Sequence, residues 1–215
     1  MYLVVNLKTY ADGTGEAAEE IARAAGRVAE DADARVAVAA QAADLHRVSR
    51  HVEALAQHVD GVSYGSNTGA VLPEAAAASG ATGSLLNHSE RRLRLADVDG
   101  GVRALDRAGM TSVVCANDAR QVAAAAELEP DYVAVEPPEL IGTGTPVSKA
   151  DPDVVRDAVE RVEGVGDVPV LCGAGITSGD DVGAALELGA EGVLVASGVV
   201  KADDPEKAIR DLLSY

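Results

Sequence analysis

The chain of 215 residues contains no phenylalanine and no tryptophan, and its five tyrosines are its only aromatic residues. Lysine is nearly as scarce: Lys8, Lys149, Lys201 and Lys207 are the only four, and the remaining basic residues are arginines. Lysine and arginine together number 18 against 35 aspartates and glutamates, so the net charge is −17. A chain this short of cations does not bind nucleic acid, because phosphate backbones require clustered positive charge. Only two cysteines occur, Cys115 and Cys172, each after an apolar run and without metal-ligand spacing. That pattern fits buried thiols in a reducing cytoplasm and argues against a disulfide framework or a metal site. No apolar run is long enough to span a bilayer. The first ten residues, MYLVVNLKTY, lack the basic and long apolar regions of a signal peptide.

What is present is a 47% hydrophobic content, rich in alanine and valine, which rules out a disordered acidic chain. Strong acidity with few lysines reads as a globular protein adapted to high salt, where screening removes the self-repulsion. The plainer alternative is an ordinary acidic cytosolic protein. Length and uniform composition predict one domain over 1–215.

Eight short apolar runs punctuate the chain: 2–5, 35–39, 61–64, 82–86, 111–115, 132–135, 168–172 and 192–195. They are valine-rich and nearly continuous, as strands buried on both faces of a parallel sheet are. Helical patterns lie between them. Residues 97–108 place Val98, Val102, Leu105 and Ala108 on one face. Ser178 caps a helix that stops at Gly189, and Asp204-Pro205 starts another. Strand–helix alternation repeated eight times predicts a compact, closed (β/α)8 barrel; a doubly wound open sheet is the alternative.

In a barrel, chemistry gathers at the carboxyl ends of the strands. Asn6 and Lys8 follow the first run, Asn87 and His88 the fourth, and Glu136 the sixth. Taken alone, each has an ordinary reading: a solvated lysine, a surface or capped histidine, a polar strand end. Together they supply a base, a neutral hydrogen-bond donor and a fixed cation on one rim, the parts needed to move a proton beside a carbonyl. Gly173-Ala174-Gly175 follows the seventh run and Ala196-Ser197-Gly198 the eighth. Single glycines merely allow tight turns, but two adjacent small-residue turns opening onto helices suit a phosphate.

The stretches NLKTY (6–10), LLNHSERR (85–92), VAVEPPELIGTG (133–144), LCGAGITSGDDV (171–182) and LVASGVVKADDPEKAI (194–209) resemble the triosephosphate isomerase family in its shorter, archaeal form. The resemblance covers the whole chain. It implies cofactor-free interconversion of dihydroxyacetone phosphate and D-glyceraldehyde 3-phosphate through an enediol(ate), in glycolysis and gluconeogenesis. It implies Glu136 as base, His88 as electrophile, and Asn6 and Lys8 against the substrate oxygens. Glu90 would pair with Lys8, or else serve only the end of its own helix. Phosphate donors would come from Ile141 and Gly142, from Gly173 and Gly175, and from Ala196, Ser197 and Gly198. Residues 139–144 would form a lid, with Pro137-Pro138 as one stiff hinge and 145–147 as the second. The resemblance further implies a cytoplasmic homo-oligomer, a tetramer in preference to a dimer, with the loop around Thr68-Gly69 near a neighbouring subunit. Other phosphosugar-binding barrels explain the glycine turns but not Asn6, Lys8, His88 and Glu136 together. A non-catalytic barrel would predict a missing catalytic residue, and none is missing.

Overall fold

The computed structural model describes residues 1–32, 34–142 and 144–215. Eight parallel strands close into a barrel in sequence order. They are β1 (Tyr2–Asn6), β2 (Arg35–Ala40), β3 (Glu53–Ala56), β4 (Ala81–Leu86), β5 (Thr111–Ala116), β6 (Tyr132–Val135), β7 (Val170–Cys172) and β8 (Gly192–Val195). Pairing of β1 with β8, with Tyr2 opposite Gly192 and Val5 opposite Val195, closes the ring and excludes the open doubly wound sheet. The helices around it are α1 (Glu16–Asp31), α2 (Leu45–Val48), α3 (Pro73–Ala78), α4 (Leu95–Arg107), α5 (Ala119–Ala126), α6 (Val147–Ala150), α7 (Pro152–Glu163), α8 (Gly179–Glu187), α9 (Ser197–Val200) and α10 (Pro205–Leu212). Three of them have only four residues, which is how the barrel is completed in so short a chain.

The two-residue period of a strand separates two apolar layers. Leu3 and Val5 of β1, and Val133 and Val135 of β6, face outward onto the helices. Inward-facing Tyr2, Val4, Leu55, Leu85, Val113, Ala134, Leu171 and Leu194 fill the barrel. Small inward residues such as Ala37 and Ala39 make room for these leucines, so the interior is a packed core without Phe or Trp. Extending the same parity past Val4 and Ala134 turns Asn6 and Glu136 into the mouth of the barrel.

One predicted strand is wrong. Residues 61–64 lie in the long loop before α3, with Tyr64 77% exposed. The third strand is Glu53–Ala56, which has no β-branched residue and a sequence that suits a helix equally well. Its neighbours fix it: Ala37–Ala40 of β2 pair with all four of its residues, and β4 pairs from the other side across a register shift. The sixth and eighth predicted strands match β6 and β8 residue for residue, and the others shift by one or two residues at an end; β7 starts at Val170 because Pro169 cannot donate to the ladder. Helix α4 begins at Leu95, two residues before the predicted start, and both predicted caps are present. Ser178 forms a reciprocal capping box with Asp181, and Asp204 accepts from the Lys207 N–H.

Candidate active site

Asn6, Lys8, His88 and Glu136 line one pocket at the carboxyl end of the barrel, with Ile141, Gly142, Gly175, Ala196, Ser197 and Gly198. Each side chain reaches it through a specific backbone device. Lys8 has φ +49°, in the left-handed region that costs a non-glycine residue about 1–2 kcal/mol. Its N–H donates to Asn6 Oδ1 at 3.0 Å, and its C=O accepts from Gln57 Nε2 at 2.8 Å. The side chain then runs inward, largely buried, to Glu90, with Nζ 2.7 Å from Oε1. The lysine–glutamate pair is therefore formed. With Glu90 half exposed, it holds the ammonium in place more than it stabilises the fold.

Asn87 at the end of β4 also has a positive φ, +58°. Its amide donates to the Cys115 carbonyl at 2.9 Å and its Oδ1 accepts from the Leu93 N–H at 2.9 Å. Arg92 donates to both the Asn87 and Cys115 carbonyls. This brace redirects the chain so that His88 turns into the pocket. His88 caps the short 3-10 turn Ser89–Arg91, its Nδ1 accepting from the Glu90 N–H at 3.2 Å. A nitrogen that accepts from a backbone N–H carries no proton. The imidazole is therefore neutral, with its hydrogen on Nε2, and Nε2 lies 3.5 Å from Glu136 Oε2.

Glu136 is 5% exposed, yet its Oε2 accepts no hydrogen bond. An unpaired buried carboxylate oxygen is costly and points to a partner yet to arrive. Burial raises its pKa above the ordinary carboxylate value, against the lowering influence of His88, the Cys115 thiol, Lys8 and Arg92. Cys115 and Cys172 are both buried and free, and burial raises both thiols, Cys172 to about 12.

Two of the predicted phosphate donors have their N–H groups engaged within the chain. Gly173 gives its N–H to the Val135 carbonyl at 2.9 Å, continuing the β6–β7 ladder, so that hydrogen is already used. Its role is clearance, because a Cβ there would stand 2.9 Å from Glu136 Cγ. Ile141 lines the pocket, but its N–H donates to the Pro138 carbonyl at 3.3 Å within a 3-10 turn over Pro138–Leu140. Gly175 (φ +78°), in the turn after β7, and the first-turn residues Ser197 and Gly198 of α9 line the pocket, and the first N–H groups of a helix have no partner within it. The predicted lid includes Thr143, which lies outside the described residues.

Tyr10, Gln57, Asn87, Arg92 and Cys115 were absent from the predicted site. The Lys201 ammonium stands 4.5 Å from the centre of the Tyr10 ring on the rim. Tyr10 lies within NLKTY, and Asn87 and Arg92 lie within LLNHSERR; Gln57 and Cys115 lie in none of the resembling stretches. Among the described residues, no group of three or more His, Cys, Asp or Glu is placed to hold a metal ion, and no helix is long and apolar enough to cross a membrane.

The family model described as triosephosphate isomerase matches residues 1–212. A triosephosphate isomerase of Methanosarcina acetivorans is 52% identical over 215 residues, covering 99% of this chain and 97% of the relative. One from Methanothermobacter thermautotrophicus is also 52% identical, covering 99% and 94%. Among solved structures, the triosephosphate isomerase of Bartonella henselae superposes with a TM-score of 0.74 over 100% of this chain and 99% of that one; at 22% identity this speaks to the fold alone.

Proposed function

The chain belongs to the triosephosphate isomerase family, and we propose that Glu136 and His88 carry its interconversion of dihydroxyacetone phosphate and D-glyceraldehyde 3-phosphate as base and electrophile. That division of roles is the one known for the family. The observation that carries it is the buried, unpaired Oε2 of Glu136 opposite the Nε2–H of a neutral imidazole, 3.5 Å away.

Glu136 removes a proton from the carbon next to the carbonyl, and the electron pair moves onto the carbonyl oxygen. His88 donates from Nε2 to that oxygen as it becomes negative, and Lys8 supplies the nearby fixed cation, steered by Glu90. The former carbonyl oxygen takes up a proton from His88 Nε2, and His88 recovers one from the hydroxyl of the adjacent carbon as that oxygen becomes the new carbonyl. Glu136, now protonated, returns its hydrogen to the former carbonyl carbon, so the cycle closes without a co-reactant. A base with a raised pKa is better matched to a weakly acidic carbon, and its burial removes water that would quench the enediolate. The phosphate rests on N–H groups of Gly175, Ser197 and Gly198, with Gly142 above it on the lid and Asn6 and Lys8 beside it. Replacing Glu136 with Asp withdraws the carboxylate while keeping its charge. Turnover should fall by roughly 10²–10⁴, as for loss of a positioned base. Near-normal turnover would remove Glu136 from this role.

Three further readings accompany this one. The net charge of −17 with four lysines favours adaptation to high salt, where screening also eases the approach of an anionic substrate. A melting temperature that does not differ between dilute and molar KCl would end that reading. The family resemblance favours a homo-oligomer, a tetramer ahead of a dimer, and exposed Tyr64 and Leu95, at 77% and 61%, offer apolar contact for assembly; sedimentation in molar salt resolves the size. Two buried free thiols favour a cytoplasmic location.

A further inference from the structure

The reaction uses the turn after β7, but not the groups packed behind it. Asp181, on the first turn of α8, is 4% exposed and carries more bonds than a helix cap needs. Its Oδ2 accepts from the Ser178 N–H at 3.1 Å, which completes the capping box. The same oxygen also accepts from the Thr177 N–H at 3.1 Å and from Thr177 Oγ1 at 3.2 Å. Thr177 and its neighbour Ile176 line the pocket. The other oxygen, Oδ1, lies 2.6 Å from Lys149 Nζ.

Lys149 belongs to α6, whose first residue, Val147, is also the last residue of the second hinge of the lid. Three more contacts join this segment to the turn. Ser148 Oγ donates to the Asp181 carbonyl at 3.1 Å, and the Val147 N–H donates to the Ala174 carbonyl at 3.1 Å. A Cβ on Gly175 would lie 1.9 Å from the Thr145 carbonyl oxygen, so the two backbones touch. Val147 and Ser148 are buried, so these contacts lie away from solvent.

We propose that Asp181 is a positioning residue that locks the 174–178 turn and the 145–149 hinge into one rigid unit, with Lys149 as the cross-link. The proposal rests on the reading that the substrate phosphate sits on this turn. Asp181 does not line the pocket, so its influence passes through the backbone of Thr177 and Ser178 and through the hinge. It therefore acts on the phosphate-bearing end of the substrate, leaving the proton transfer at Glu136 unchanged.

Asp181→Asn and Lys149→Met test this, with inorganic phosphate as competitive inhibitor and with glyceraldehyde 3-phosphate and unphosphorylated glyceraldehyde as substrates. In Asp181→Asn the phosphate Ki and the KM for the phosphorylated substrate should rise about tenfold, the scale on which a small misplacement of a binding group acts. Turnover of glyceraldehyde should stay within about twofold, because the base and electrophile are untouched. Lys149→Met removes a half-exposed side chain without touching the cap, so it should fold normally and raise the phosphate Ki in the same direction. It decides the matter if the aspartate variant does not fold. Equal losses on both substrates would make Asp181 a merely structural cap and overturn the proposal, as would unchanged phosphate Ki values. If phosphate fails to compete in the unaltered enzyme, the phosphate reading falls and takes this inference with it. If phosphate competes equally with the enzyme and both variants, the inference alone falls.

Discussion

The two ends of the barrel place a glutamate in similar surroundings and treat it in opposite ways. At the amino end of the strands, Glu53 of β3 is saturated. Its oxygens accept from Arg35 Nε at 2.7 Å and Nη2 at 2.5 Å, and from the hydroxyls of Tyr2 and Thr82 at 3.2 Å each. Arg35 also stacks over the Tyr2 ring at 4.2 Å and reaches the Tyr132 hydroxyl. At the carboxyl end, Glu136 leaves one buried oxygen without a hydrogen bond, beside a histidine that keeps its Nε2 hydrogen available. Positive-φ Lys8 and Asn87 flank this end. The amino end spends its polar groups on each other, which closes the barrel floor. The carboxyl end withholds them, so stability is forgone where a substrate must be received.

The sharpest way to break the comparison is Glu136→Gln, which keeps the shape and removes the base. Turnover should fall by at least about 10²–10⁴. The fold should not suffer. A carboxyl whose folded pKa is raised contributes stability that is present below its unfolded pKa and lost as pH rises through the folded value. At pH 8 the charged carboxylate is therefore a burden that glutamine lifts, while at pH 4 the protonated acid and the amide are nearly equivalent. Melting temperatures should show a gain at pH 8 that shrinks toward pH 4; a loss at pH 8 would mean that the charge is satisfied after all.

Lys8→Ala comes next. Losing the fixed cation should lower kcat/KM by about 10²–10³, the scale for one group aimed at developing charge, with kcat itself reduced. A change in KM alone would confine Lys8 to binding the phosphate.

At the opposite end, Arg35→Ala should destabilise by about 1–3 kcal/mol, since it strips charged hydrogen bonds from Glu53 and the stack from Tyr2, and partial exposure softens the loss. Denaturant unfolding measures this, and turnover per folded molecule should stay within about twofold of the starting enzyme. A large kinetic effect from this floor residue would dissolve the contrast between the two ends.

Much of the site could be read in the sequence because strand tips are marked by composition. A valine run that ends on Glu136 and two prolines announces both the strand and the residue it delivers. Gln57 gave no such mark. It follows an alanine-rich strand that the pattern missed, and it matters only because β2 alone separates β3 from β1, so that its amide reaches across the barrel mouth to Asn6 and Lys8. Cys115 read as core packing, and it is; its effect on Glu136 comes from the adjacency of β5 and β6. Gly173 looked like a phosphate donor because glycine turns invite that reading, but the β6–β7 ladder had already taken its N–H.

Periodicity and local chemistry determined the eightfold alternation, the caps at Ser178 and Asp204, and the identities of the residues at the strand ends. These depend on neighbours along the chain, which the sequence states directly. The place of the third strand, the neutral tautomer of His88, the unpaired oxygen of Glu136 and the link from Asp181 to Lys149 were decided by the closed barrel. The third strand, the glutamate oxygen and the Asp181 link depend on which distant segments pack side by side, and the His88 tautomer follows once the brace to the β5 carbonyl of Cys115 lets the ring cap the Glu90 N–H.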